Sequence, residues 1–302
     1  MSKETFRRTL KEKGSLSLKT HPSKKREGEI LQVAKSPVVT MAATTPIYDA
    51  IQIMAKEGFR RIPIANPGTK ALEGIITATD IIDYLGGGKK FEIIEQRFGG
   101  NFFKAINEPV RLIMVKDVVS VKVYAKVSKA IELMKEKNLG GLPVVDDRDS
   151  VKAIITERDV AHIFADRISG VKVSQIMSEK VVTALSRTTI FEAEKTMASQ
   201  GFRRLPIVSD GKVIGIITSM DIIRFFGSGT VFKYLQSKTI KQVLNTLALE
   251  IATKQVSTIE PQADIGYAAK IMQDKNIGAM PVIQSGKLVG IITERDFFKL
   301  IE

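Results

Sequence analysis

Four times along the chain a pair of isoleucines is followed by a threonine and, three residues later, an aspartate: Thr77 with Asp80, Thr156 with Asp159, Thr218 with Asp221 and Thr293 with Asp296. This is the pattern of a capping box, in which both side chains satisfy backbone donors at the start of a helix. The same residues could also serve a ligand. A helix start offers N–H groups and partial positive charge to a phosphate, and a threonine hydroxyl adds a donor. An aspartate has two acceptor oxygens, enough to take both hydroxyls of a ribose.

Each threonine lies 12 to 14 residues after a proline, and the residues before that proline come in two kinds. The first and third copies carry Arg60-Arg61 and Arg203-Arg204, whose forked guanidinium groups suit phosphate oxygens. Alternation along a strand points the two members of each pair to opposite sides, so at least one can face a ligand. The second and fourth copies have Gly140-Gly141 and Gly278-Ala279 instead. Small residues there allow a flat base to lie against the backbone, or simply allow tight packing. Arg158 and Arg295, inside Thr-Glu-Arg-Asp, are second-choice phosphate ligands and better suited to salt bridges on a helix surface.

Other chemistries are poorly supplied. With no cysteine and two histidines, His21 and His162, the chain lacks the usual ligands of a zinc site and the parts of a cysteine or triad enzyme. Gly86-Gly87-Gly88-Lys89-Lys90 resembles a phosphate loop only in composition, because the required glycine-to-lysine spacing and leading strand are missing. A hydrophobic content of 44% with 26% charged residues belongs to a globular protein of 302 residues. No apolar run is long enough for a membrane span and the start is polar, so a cytoplasmic location is expected. The net charge of +13 favours anionic partners, and residues 1–29 hold nine of the basic residues against four glutamates.

The elements that position these residues repeat with them. Upstream of the prolines, Ile47, Ala50, Ile51 and Met54 fall at helical spacing, as do Val127, Ala130, Ile131 and Met134, and Ile265, Ala268, Ala269 and Met272. The third copy keeps Ile190, Ala193 and Met197 but places Glu194 within the stripe, which narrows it. Short β-branched runs precede the helices, at Val38-Val39-Thr40, Val118-Val119-Ser120, Val181-Val182-Thr183 and the more polar Val256-Ser257-Thr258, and read as strands. Each copy is thus strand, helix, strand, turn, strand, helix, an α+β unit with a mixed three-stranded sheet. Shared details alternate between copies, so a doublet was duplicated. The expected division is a basic tail at 1–29, a first pair at 30–167 and a second at 168–302. The first pair comprises 30–88 and 110–167 with a helical connector at 89–109. The second comprises 168–229 and 241–302 with a connector at 230–240.

The proline strands, the Ile-Ile-Thr-x-x-Asp exits and the Ile-Met-x-x-x-Val-Val-[Ser/Thr] lead-ins at Ile113 and Ile176 resemble four tandem CBS motifs forming two Bateman modules. In repeat number the chain is similar to the gamma subunit of AMP-activated kinase. The resemblance implies adenosine-type ligands, AMP, ADP, ATP or S-adenosylmethionine, held in clefts between repeats, with no other cofactor. It implies ribose contacts for Asp80, Asp159, Asp221 and Asp296. It places Thr77, Thr156, Thr218, Thr293 and the arginine pairs near phosphates. A non-catalytic regulator with a partner protein, self-associating as a homodimer, is the expected function. The alternative is a nucleic-acid-binding factor acting through the basic tail and modulated by the repeats. An enzymatic barrel of about 250 residues has no room here.

Overall fold

The computed structural model describes residues 28–165, 167–233 and 240–301. Residues 1–27 of the basic tail and 234–239 of the second connector lie outside the described residues. The apolar stripes form helices Ile47–Glu57, Val127–Glu136, Ile190–Gln200 and Ile265–Asp274, and each buries the stripe positions named above. Each is followed by a strand containing the proline and an antiparallel exit strand. The hairpins are Arg61–Ala65 with Leu72–Thr77, Gly141–Val145 with Val151–Thr156, Arg204–Ser209 with Lys212–Thr218, and Ala279–Gln284 with Lys287–Thr293. Proline is tolerated in these hairpins because it opposes Ile75, Ile154, Ile216 and Ile291 in register, and those isoleucines direct their own backbone bonds to another segment.

A third strand runs parallel to the proline strand, as expected for a mixed sheet, at Val121–Lys122 and Ala184–Leu185. In the first and fourth copies it shrinks to single bridges, Met41 to Ile64 and Ile259 to Val282. The β-branched runs are therefore not the strands. Pairing begins one residue after each run, because strand formation needs the open edge of the proline strand as well as a favourable side chain.

The lead-in segments exchange between neighbours. Lys35 precedes the first copy yet pairs with Ile154 of the second, and Val115 precedes the second yet pairs with Ile75 of the first. Ser178 and Ile291, and Thr253 and Ile216, repeat this between the third and fourth copies. Every exchange is a reciprocal couple of backbone hydrogen bonds at 2.9–3.1 Å.

Two compact units result. One contains residues 39–118 and 182–256, the first and third copies, and the other contains the second and fourth. In the first unit the helix after each aspartate lies on the stripe helix of the other copy. Gly227 makes this possible: a Cβ there would stand 2.8 Å from Ala55 Cβ and 3.2 Å from the Ile51 carbonyl oxygen. The helical connector expected at 89–109 is Phe91–Phe98 and Phe102–Ile106, broken at Gly99-Gly100. It packs on the same core through Ile94, Phe102 and Ile106, with Phe102 stacked on Phe226 at 5.7 Å. In the second unit the copies trade side chains. Ala161 and Phe164 of the second copy sit in the fourth copy's core, and Phe298 of the fourth sits in the second's.

Candidate functional site

The end of each hairpin gathers the residues read from the sequence. Arg61 lies opposite Thr77, Gly141 opposite Thr156, Arg204 opposite Thr218 and Ala279 opposite Thr293. The residue before each, Arg60, Gly140, Arg203 and Gly278, accepts through its carbonyl from the first N–H of the following helix. All four arginines are half-buried, whereas Gly141, Gly278 and Ala279 are buried. Four-fold repetition of this arrangement follows from local sequence, since hairpin register and helix start are both set within about twenty residues.

The cap itself forms in every copy. The backbone N–H and the hydroxyl of Thr77 both donate to Asp80 Oδ2, at 2.9 and 2.6 Å. Thr156 does so to Asp159 at 2.7 and 2.6 Å, Thr218 to Asp221 at 2.8 and 2.7 Å, and Thr293 to Asp296 at 2.8 Å for both. A hydroxyl has one proton, and here it goes to the aspartate. The threonines thus act first as orienters of the carboxylates, and a phosphate contact from them requires that proton to turn away. Oδ2 is committed in all four copies, so the oxygen left for a ligand is Oδ1.

At Oδ1 the copies differ. Lys90 Nζ lies 2.7 Å from Asp80 Oδ1 and also donates to the Ile113 carbonyl at 2.7 Å. Lys299 Nζ lies 2.7 Å from Asp296 Oδ1 and donates to the Ile176 carbonyl at 2.5 Å. Ser178 adds a long contact to Asp296 at 3.4 Å. Arg224 reaches Asp221 Oδ1 at 3.2 Å from a half-exposed side chain. No described residue makes a hydrogen bond to Asp159 Oδ1; the residue three positions on is His162, whose buried Nε2 has no hydrogen-bond partner. Burial raises the pKa of Asp159 and of Asp221, opposed in each by the threonine bonds. Burial, reinforced by Arg158, lowers that of His162 and favours the neutral ring.

The engagement of Lys90, Arg224 and Lys299 was not anticipated from sequence. For Arg224 and Lys299 a signal was present, a cation three residues after the aspartate on the same helical face. Lys90 is ten residues away and arrives by a turn through Gly86–Gly88, which only the folded chain reveals. Arg158 and Arg295 make salt bridges, as expected, but these do not lie on a helix surface: they cross between copies to buried glutamates. Arg158 Nε bonds Glu294 Oε1 and Arg295 Nη1 bonds Glu157 Oε1, both at 2.8 Å. Among the described residues no group of three or more acidic or histidine side chains is placed to hold a metal ion, and no helix is long and apolar enough to cross a membrane.

The chain is 37% identical over 273 residues to the uncharacterized protein MJ1225 of Methanocaldococcus jannaschii, covering 89% of this chain and 98% of that one. The crystal structure of MJ1225, whose description proposes it as an archaeal homolog of g-AMPK, superimposes with a TM-score of 0.85 at 36% identity, over 90% of this chain and 99% of that one. A 33.4 kDa protein from the ribosomal RNA operon of Thermofilum pendens is 31% identical over 260 residues, 86% of each chain. The family model for the CBS domain matches residues 29–87, 110–166, 173–228 and 248–302, one match for each hairpin end described above. The chain therefore belongs to the CBS-domain family, with four repeats.

Proposed function

We propose that this CBS-domain protein is a non-catalytic regulator. It takes adenosine-type ligands at the Thr-x-x-Asp ends of its hairpins and passes the resulting change to a partner protein. The observation that carries the reading is the fourfold placement of an oriented carboxylate beside the first turn of a helix, with an arginine pair added in the first and third copies. The ribose diol is the part of the ligand that suits Asp80, Asp159, Asp221 and Asp296, and Arg60, Arg61, Arg203 and Arg204 suit the phosphates. Gly140, Gly141, Gly278 and Ala279 are the small residues given to the base in this reading. The doublets 30–167 and 168–302 are the modules through which occupancy is transmitted, and a homodimer is the assembly in this reading. The likeness to MJ1225, described as a proposed archaeal homolog of g-AMPK, supports an adenosine-type ligand, AMP, ADP, ATP or S-adenosylmethionine. Distinguishing AMP from ATP tenfold takes about 1.4 kcal/mol, within reach of one charged phosphate contact.

Titration calorimetry with AMP, ADP, ATP and S-adenosylmethionine tests this. Replacing all four aspartates by asparagine is expected to abolish adenylate binding. Binding that is unchanged in the quadruple variant removes the ribose assignment.

A further inference from the structure

Three of the four aspartates already hold a cation on the oxygen that a ribose would need, and one does not. We infer that Lys90, Arg224 and Lys299 are specificity-determining residues, built-in competitors that grade ligand affinity among the copies, and that Asp159 is the carboxylate a ligand engages first. The inference rests on the reading that these aspartates take the ribose diol.

The strongest support is that two copies reach one geometry by different routes. In the fourth copy the lysine is three residues after the aspartate on the same turn. In the first copy that position is Asp83, which cannot serve, and Lys90 fills the place from beyond the glycine turn. Both ammonium groups make the same pair of bonds, one to aspartate Oδ1 and one to the carbonyl of an isoleucine at the start of a lead-in, Ile113 or Ile176. A lysine placed only to neutralise a carboxylate has no need of the matched second bond. A ligand diol must displace the ammonium from Oδ1, and the lead-in carbonyl loses its donor at the same moment. Occupancy in the first and fourth copies is thereby coupled to the segments exchanged between neighbours, Val115 on Ile75 and Ser178 on Ile291.

Arg224 holds Asp221 more loosely, at 3.2 Å from a side chain 54% exposed, and so competes less. At Asp159 no displacement is required. Its Oδ1 meets no described donor, and the residue at the corresponding position, His162, makes no hydrogen bond through Nε2. Two ribose hydroxyls would supply what the carboxylate lacks.

The test is calorimetry with AMP on the full-length chain and on single variants, with thermal melts to verify folding. Asp159→Asn is expected to weaken the tightest binding event by roughly 10- to 100-fold, the worth of a hydrogen bond to a charged group. Asp80→Asn and Asp296→Asn should leave that event unchanged. Lys90→Met and Lys299→Met, which keep the aliphatic stem, should tighten a weaker event or add one. Loss of the tightest event in Asp80→Asn or Asp296→Asn overturns the inference, and these two arms decide even if Asp159→Asn folds poorly. Weaker binding in both lysine variants also overturns it, since the lysines would then be ligand contacts. Wild type that binds no AMP, or a quadruple asparagine variant that binds normally, defeats the ribose reading itself and is a different result from either of these.

Discussion

At the scale of single residues, Glu194 is the position where the repeat breaks its own rule. It occupies the stripe place that Ile51 holds in the first copy, is fully buried, and neither carboxyl oxygen has a hydrogen-bond partner. Its surroundings are Leu244 and the close-packed Gly86 and Gly87. Burial raises its pKa well above the ordinary 4.5. The folded chain therefore keeps a proton that the unfolded chain releases. The associated stability is complete below the unfolded value and is lost as pH rises toward the folded one. Against Glu194→Gln, the wild type should lose about 1.4 kcal/mol for each pH unit across that window. Urea titrations of both proteins from pH 5 to 8 measure the difference, and parallel stability profiles would show that Glu194 is not buried in this way. The narrowed stripe was visible in the sequence as a glutamate at an apolar position. That it is buried rather than turned outward was not, because the residues covering it come from Gly86–Gly87 and Leu244.

Elements show the same division between local and distant causes. The capping boxes could be read directly, since threonine and aspartate lie within one turn and the chain has no choice of partner. The junction between the helix ending at Gly227 and the stripe helix of the first copy could not. Gly227→Ala would place a methyl group 2.8 Å from Ala55 Cβ and should cost about 1–3 kcal/mol through overpacking, read as a lower denaturation midpoint. In the other unit, Glu157 and Glu294 are nearly inaccessible, with side chains 3% and 1% exposed, and each meets an arginine of the opposite copy. Arg295→Met should destabilise the protein by about 2 kcal/mol, because it weakens the compensation of a buried carboxylate. Combining it with Glu157→Leu should recover much of that loss in a double-mutant cycle. Additive losses would mean that the pair is not coupled.

Across the whole molecule, each compact unit is built from two copies that are not neighbours in sequence, the first with the third and the second with the fourth, and the lead-in bridges all close within a unit. The alternation of sequence details announced two kinds of copy but not this regrouping. The basic tail, whose residues 1–27 lie outside the described residues, is a separate candidate for nucleic-acid binding. Deleting residues 1–27 should leave adenylate binding unchanged, since every site residue lies beyond them. A salt-steep affinity for RNA or DNA that vanishes with the deletion would assign the tail a separate role.

The amino-acid sequence by itself determined the repeat, its element order, the hairpin ends and the caps, because each depends on residues within a few turns of one another and recurs four times. Tertiary structure decided which aspartates have their second oxygen claimed, where the third strand begins, and what covers Glu194. Those outcomes depend on distant backbone edges and on side chains such as Lys90, whose position relative to Asp80 is set by a turn in space and carries no periodic signature along the chain.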